Sequence, residues 1–230
     1  MNLHNTVVNF LGDSITQGVG ASCTANRYTD VLAREFGLKQ ANNYGVSGSR
    51  IARQQILTDE PHDRDFCMRM TEMDPQADAV VVFGGTNDYG HGEAPLGVPG
   101  DRQPDTFWGA CHYLMDGLLT RYAGKPVVIL TPLHRLDEQN PRGSGSKPHS
   151  VAPLSVYREI LMETARWYAL PVLDLYAESG IQPANPRCRE LLLPDGLHPS
   201  DAGHALLARR SGRFLEQLYS NLREVKKEHA

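Results

Sequence analysis

The stretch Ala-Asp-Ala-Val-Val-Val-Phe-Gly-Gly, residues 77–85, constrains this chain more than any other. Its apolar residues occupy odd and even positions alike, so a strand built from it has no polar face to give to water. Such strands lie in the middle of parallel sheets, covered by helices on both sides. Four other runs also read as strands: TVVNFLG at 6–12, the weaker and more polar ANNYGVSGS at 41–49, KPVVILTP at 125–132 and LPVLDLY at 170–176. Between them, apolar residues recur at helical spacing. One stripe is Tyr28, Val31, Leu32 and Phe36; another is Trp108, Cys111, Met115, Leu118 and Tyr122; a third is Val156, Ile160, Ala165 and Tyr168. Pro199 is expected to open a long last helix, with Leu207, Phe214, Leu218 and Leu222 on one side. This β/α alternation predicts an α/β fold, a mostly parallel five-stranded sheet between two helical layers, as a single domain over residues 1–230.

Composition removes several function classes. The formal net charge of −4 offers no basic footprint for nucleic acid. No apolar run is long enough for a membrane span, and the first residues lack a basic segment leading into an apolar core, so a cytoplasmic location is expected. Cys23, Cys67, Cys111 and Cys188 are scattered, which predicts reduced thiols rather than a disulfide framework or a metal site. Neither the dinucleotide-binding nor the phosphate-loop glycine pattern occurs, and no histidine pair has zinc-ligand spacing. The chemistry calls for no cofactor and no metal. Oligomeric state is left open.

Two long Gly- and Pro-rich loops, Gly90–Asp105 and Asp137–Ser150, follow predicted strands. Loops of that length in a compact domain are usually functional, and ligands of open α/β sheets bind beyond the carboxyl ends of the strands. Both loops are therefore expected to rim a site. They contain few large apolar residues: Leu96 and Val98 in the first, none in the second.

Four short polar segments sit at predicted strand ends: Gly12-Asp13-Ser14; NYGVSGS with Gly48; Gly84-Gly85-Thr86-Asn87-Asp88; and LPDGLHPSDAGH with Asp195 and His198. Each has an ordinary reading. Ser14 and Asn87 could be helix caps, Gly48 a turn residue, and Asp195 with His198 the entrance to a helix. Those readings account for each piece but not for their joint order. In that order the chain resembles the SGNH hydrolases, also called the GDSL esterase/lipase family, over nearly its whole length.

The resemblance implies a flavodoxin-like three-layer α/β/α fold. It also implies that Ser14 is a nucleophile, His198 its base and later general acid, and Asp195 the carboxylate that orients the imidazole. The oxyanion donors would be the amides of Ser14 and Gly48 and the side chain of Asn87. Asp13 is read as structural, bonding amides of its turn. His204 is expected in the core, and His91, His134 and His149 on exposed loops; Trp108 and Met115 are read as core. The expected activity is cleavage of carboxylic esters through an acyl-Ser14 intermediate, on a small molecule carrying a short acyl or O-acetyl group, with carbohydrate as a candidate alcohol. The alternatives are a lysophospholipase or thioesterase, and an inactive carbohydrate-binding module of the same fold.

Overall fold

The computed structural model describes residues 3–227, with side chains to Ser220. Five strands alternate with helices: β1 Val7–Gly12, α1 Ser14–Gln17, α2 Tyr28–Phe36, β2 Gln40–Gly45, α3 Phe66–Arg69, β3 Ala79–Phe83, α4 Thr86–Gly90, α5 Phe107–Arg121, β4 Val127–Leu130, α6 Leu154–Trp167, β5 Val172–Leu173, α7 Leu175–Glu178, α8 Pro186–Leu192 and α9 Asp201–Lys227. The sheet order is β2-β1-β3-β4-β5 and every pairing is parallel. This is the flavodoxin-like order.

The two-faced character of β3 explains the layers. Val80 and Val82 face a core shared with Leu114 and Leu118 of α5 and Leu161 of α6. Val81 and Phe83 face the opposite core, with Val31 and Leu32 of α2 and Leu207 and Leu215 of α9. Each Val or Phe buried in this way contributes roughly 1.5–3 kcal/mol, so β3 anchors both layers at once. Met115 is in the core as expected, while Trp108 is only partly buried at its edge.

The other strands depart from that pattern for local reasons. β2 is an edge strand, so its polar residues are tolerated; Asn43 donates from Nδ2 to the Thr16 carbonyl at 2.6 Å and accepts from the Gly45 amide at 2.9 Å. β5 pairs over two residues only, because Asp174 leaves the sheet to cap α7 and bind Arg158. The last helix begins at Asp201 rather than Pro199, after Ser200, whose Oγ accepts from the Gly203 amide at 3.3 Å. Its buried line runs through His204, Leu207, Ala208, Ser211, Leu215 and Tyr219, rotated from the expected stripe. Phe214 and Leu218 flank it, and the side chain of Leu222 lies outside the described residues.

In this strand order the chain leaves β1 toward β2 and then returns to β3 on the other side. The reversal opens a crevice at the carboxyl ends of β1 and β3. Ser14 follows the first of these strands and Asn87 the second.

Candidate active site

β1 ends by handing the chain directly to a helix. Asp13 is the N-cap of α1, its Oδ1 accepting from the Ile15 amide at 3.0 Å, and Ser14 is the first helical residue. In that position the Ser14 amide has no intrahelical acceptor. The Ser14 hydroxyl lies 3.0 Å from Nε2 of His198, and Nδ1 of His198 lies 2.7 Å from Oδ2 of Asp195. A carboxylate can only accept, so Nδ1 carries the proton and the Nε2 lone pair faces the hydroxyl. Oδ1 of Asp195 accepts from the amides of Leu197 and His198 at 2.9 and 2.7 Å, which fixes the carboxylate against its own turn. Partial burial pushes the Asp195 pKa up, but these amides and the imidazole outweigh it and hold the group below the ordinary carboxylate range.

The two sides of this contact come from distant parts of the chain. Gly20 lets them approach: a Cβ there would sit 2.3 Å from the Pro199 carbonyl oxygen, and its φ of 91° is left-handed. His204 ties them further. Its Nδ1 accepts from the Tyr28 amide at 3.3 Å and its Nε2 donates to the Val19 carbonyl at 3.3 Å, so the buried ring is neutral and fully paired, as a core histidine should be.

Gly48, with φ 78°, turns the chain after β2, and among the described residues its amide has no hydrogen-bond partner. Asn87, buried on α4, donates from Nδ2 to the Ser49 carbonyl at 3.1 Å, which keeps its amide group beside that turn. The structure therefore brings Ser14, His198 and Asp195 into one hydrogen-bonded chain, and sets Asn87 against the Gly48–Ser49 turn.

Three further residues support the site and carry no spacing signal in the sequence. The buried Asp88 accepts from the amides of Ile51 and Ala52 at 3.0 and 2.9 Å, stitching α4 to the segment after Gly48. Burial raises its pKa to about 6 against the pull of those amides. Arg50 pairs with Asp63 and donates to the Gly48 carbonyl at 3.3 Å. Arg69 spans the carbonyls of Gly12 and Tyr44 and the hydroxyl of Ser49. Asp88 was visible beside Asn87 as part of a polar segment; the two arginines act on carbonyls, which leave no trace in residue pattern.

The two long loops meet beside α4 around a cavity of about 610 Å³. Gly92–Leu96 of the first and Lys147–Ser150 of the second line it, joined by Gln55, Ile56, Val151, Ala152 and Tyr157. Neither Ser14 nor His198 is on its wall; its link to the site is the α4 backbone, where Lys147 Nζ donates to the Asp88 carbonyl at 2.6 Å and the Gly92 amide to the Asn87 carbonyl at 2.8 Å. The loop sequences understated its apolar character, since Ile56, Val151 and Tyr157 come from outside them. The loop histidines divide. His149 is exposed on the cavity wall. His91 and His134 are half-buried instead: burial drives the His91 pKa down to about 4, and His134 bonds Glu138 and packs on the Tyr176 ring.

Among the described residues, no group of acidic, histidine and cysteine side chains is arranged to hold a metal ion, no helix is long and apolar enough to cross a membrane, and the four cysteines are free thiols.

The chain matches the model of the GDSL-like lipase/acylhydrolase family over residues 10–206. A protein of known structure from Lactobacillus plantarum is 31% identical, with a TM-score of 0.79 over 93% of this chain and 98% of that one. A lipase/acylhydrolase from Enterococcus faecalis is 21% identical, with a TM-score of 0.62 over 92% and 96% of the two chains. A carbohydrate acetylesterase family member from Sinorhizobium meliloti is 16% identical, with a TM-score of 0.61 over 92% and 98%. The last two share the fold. No curated protein matches the chain.

Proposed function

The chain belongs to the GDSL-like lipase/acylhydrolase family, and from that premise we propose that it hydrolyses carboxylic esters through an acyl-Ser14 intermediate. The observation that carries this reading is the continuous hydrogen-bonded chain from Ser14 Oγ through His198 to Asp195, at 3.0 and 2.7 Å. Serine becomes a competent nucleophile only when a base accepts its proton. His198 Nε2 takes that proton as Ser14 Oγ attacks the ester carbon, and Asp195 stabilises the imidazolium that forms. The amides of Ser14 and Gly48 and the Asn87 side chain receive the negative charge that develops on the carbonyl oxygen. His198 then gives its proton to the departing alkoxide, and the acyl group stays on Ser14. Water, deprotonated by His198, releases the acid and restores the hydroxyl. A binding module of the same fold would have no use for this arrangement.

A serine-directed fluorophosphonate should add one equivalent, at Ser14. Ser14→Ala should abolish the label and lower kcat by several orders of magnitude. Label at another residue, with Ser14→Ala still active, overturns the mechanism.

The substrate we propose is a short-acyl or O-acetyl ester, with a carbohydrate as the alcohol. The two long loops supply few large apolar residues for a longer chain. A second reading, a longer acyl group as in a lysophospholipid or thioester, is favoured by one observation: Ile56, Leu96, Val151 and Tyr157 converge on the cavity beside α4. Each buried CH2 contributes roughly 0.8 kcal/mol, so the two readings diverge steeply with acyl length. Activity that peaks from acetyl to butyryl esters supports the first. A kcat/KM that climbs from C4 to C12, measured below the micelle concentrations, replaces it with the second.

A further inference from the structure

Arg69 reaches the crevice from beneath, from the short helix α3, and is 5% exposed. Nη2 donates to the Gly12 carbonyl at 3.0 Å and to Ser49 Oγ at 2.7 Å; Nη1 donates to the Tyr44 carbonyl at 2.6 Å; Nε donates to the Arg64 carbonyl at 2.9 Å. Gly12 lies two residues before Ser14. Tyr44 is the penultimate residue of the neighbouring strand, which leads into the Gly48 turn. Ser49 completes the connection, because its Oγ donates to the Val46 carbonyl at 2.8 Å and its own carbonyl accepts from Asn87 at 3.1 Å.

We propose that Arg69 is a positioning residue for the oxyanion donors. One planar guanidinium sets the ends of β1 and β2 and the Ser49 hydroxyl in fixed relation, and through them the Ser14 amide, the Gly48 amide and the Asn87 side chain. Donors placed in advance need no reorganisation when charge develops, which is the source of their catalytic effect. Arg69 touches neither the Ser14 hydroxyl nor His198, so it acts through the donors and not through the base. The fork geometry is the essential property. A lysine carries the same charge but is a compact point donor on a flexible stem, and cannot hold several acceptors in a fixed plane.

This inference rests on the ester-hydrolase reading for its kinetic consequence but not for its structural one. The experiment therefore pairs steady-state kinetics with amide hydrogen exchange on the full chain, using Arg69→Lys and Ser49→Ala, with Ser14→Ala as the control for esterase activity. Ser49→Ala removes the Arg69 contact together with the Ser49–Val46 bond inside the turn, and needs no buried cation to be rehoused. Arg69→Lys should lower kcat by ~10²–10³-fold, the scale of losing an oxyanion donor, with KM within a few-fold and the pH profile of kcat/KM keeping its shape. Ser49→Ala should lower kcat about tenfold, as expected for loosening a donor rather than deleting it. In both variants exchange should quicken at residues 46–50 while the amides of β3 stay protected.

A kcat that falls only in proportion to unfolded protein, or a displaced pH profile, overturns the proposal. Exchange at 46–50 equal to wild type in both variants also overturns it. If the wild type hydrolyses no ester and matches Ser14→Ala, the hydrolase reading fails, and the exchange data alone decide whether Arg69 holds the turn. If Arg69→Lys does not fold, Arg69→Gln, which removes the fork without leaving a cation to be buried, takes its place in the same measurements.

Discussion

Two aspartates lie close to Ser14, Asp13 beside it in sequence and Asp195 through the bonds to His198, and the structure treats them in opposite ways. Asp13 is wholly buried; desolvation lifts its pKa to about 7, helped by the nearby Asp88 and resisted by the Ile15 amide. Asp195 has its side chain more than half exposed, yet is held below the ordinary range by the amides of its own turn and the His198 ring. On the mechanism proposed above, the difference teaches that proximity to the nucleophile does not identify the acid of the triad. What identifies it is a charge-retaining environment and a bond to the base.

The largest expected effect tests that distinction directly. Asp195→Asn should lower kcat by ~10⁴, because the amide can present the wrong partner to Nδ1 and no longer balances the imidazolium, with the melting temperature little changed. Asp13→Asn keeps an equally good N-cap and should leave kcat within an order of magnitude. Steady-state kinetics on both variants, beside thermal melts, measures this. If Asp13→Asn inactivates a well-folded protein while Asp195→Asn does not, the two roles exchange.

A smaller effect separates the cap from the charge. Asp13→Ala removes the acceptor for the Ile15 amide and should cost about 1 kcal/mol, a fall of about 2–4 °C in a chain of this size. Differential scanning calorimetry at pH 5 reads it; a melt identical to that of Asp13→Asn would show that the cap contributes nothing.

The smallest effects lie in pH dependence, where the two carboxylates have opposite signs. The native pKa of Asp13 is above its unfolded value of 3.8, so the folded state holds an extra proton between pH 3.8 and about 7. Stability therefore falls as pH rises through that window and is level above it. Asp88, raised to about 6, adds a parallel fall. The native pKa of Asp195 is depressed, so its contribution is complete above the unfolded value and is lost as pH drops through the folded one. Urea melts from pH 3 to pH 8 should show the falling limb flattened in Asp13→Asn and the acid-side rise reduced in Asp195→Asn. An unaltered limb in Asp13→Asn would place its buried proton elsewhere, with Asp88 as the other member of the pair.

The part of this architecture that could be read in advance is the part made by side-chain patterning. β3 was legible because five consecutive apolar residues admit one environment, and the four polar segments because they recur in a fixed order at strand ends. β2 was faint because an edge strand tolerates Asn42 and Asn43, and β5 was overstated because Asp174 is diverted to a cap and an ion pair. The short helix α3 and the role of Arg69 were invisible for a deeper reason. A guanidinium that binds carbonyl oxygens recognises backbone, and every residue type presents the same carbonyl. The cavity wall was misjudged for a related reason, since Ile56 joins it from a segment remote in sequence from both loops and Tyr157 from the first turn of α6.

The bond between Ser14 and His198 closes across 184 residues, and the Val19–His204 contact beside it across 185. Contacts of such long separation are late events in folding, because the entropy of bringing their ends together must be met before they return anything. Ser14 and His198 therefore come together through the packing of α9 on α2. Until the two segments are joined, the mechanism proposed above leaves Ser14 an inert alcohol. On that mechanism, hydrolytic competence would arrive only when α9 docks on α2 and brings the imidazole with it.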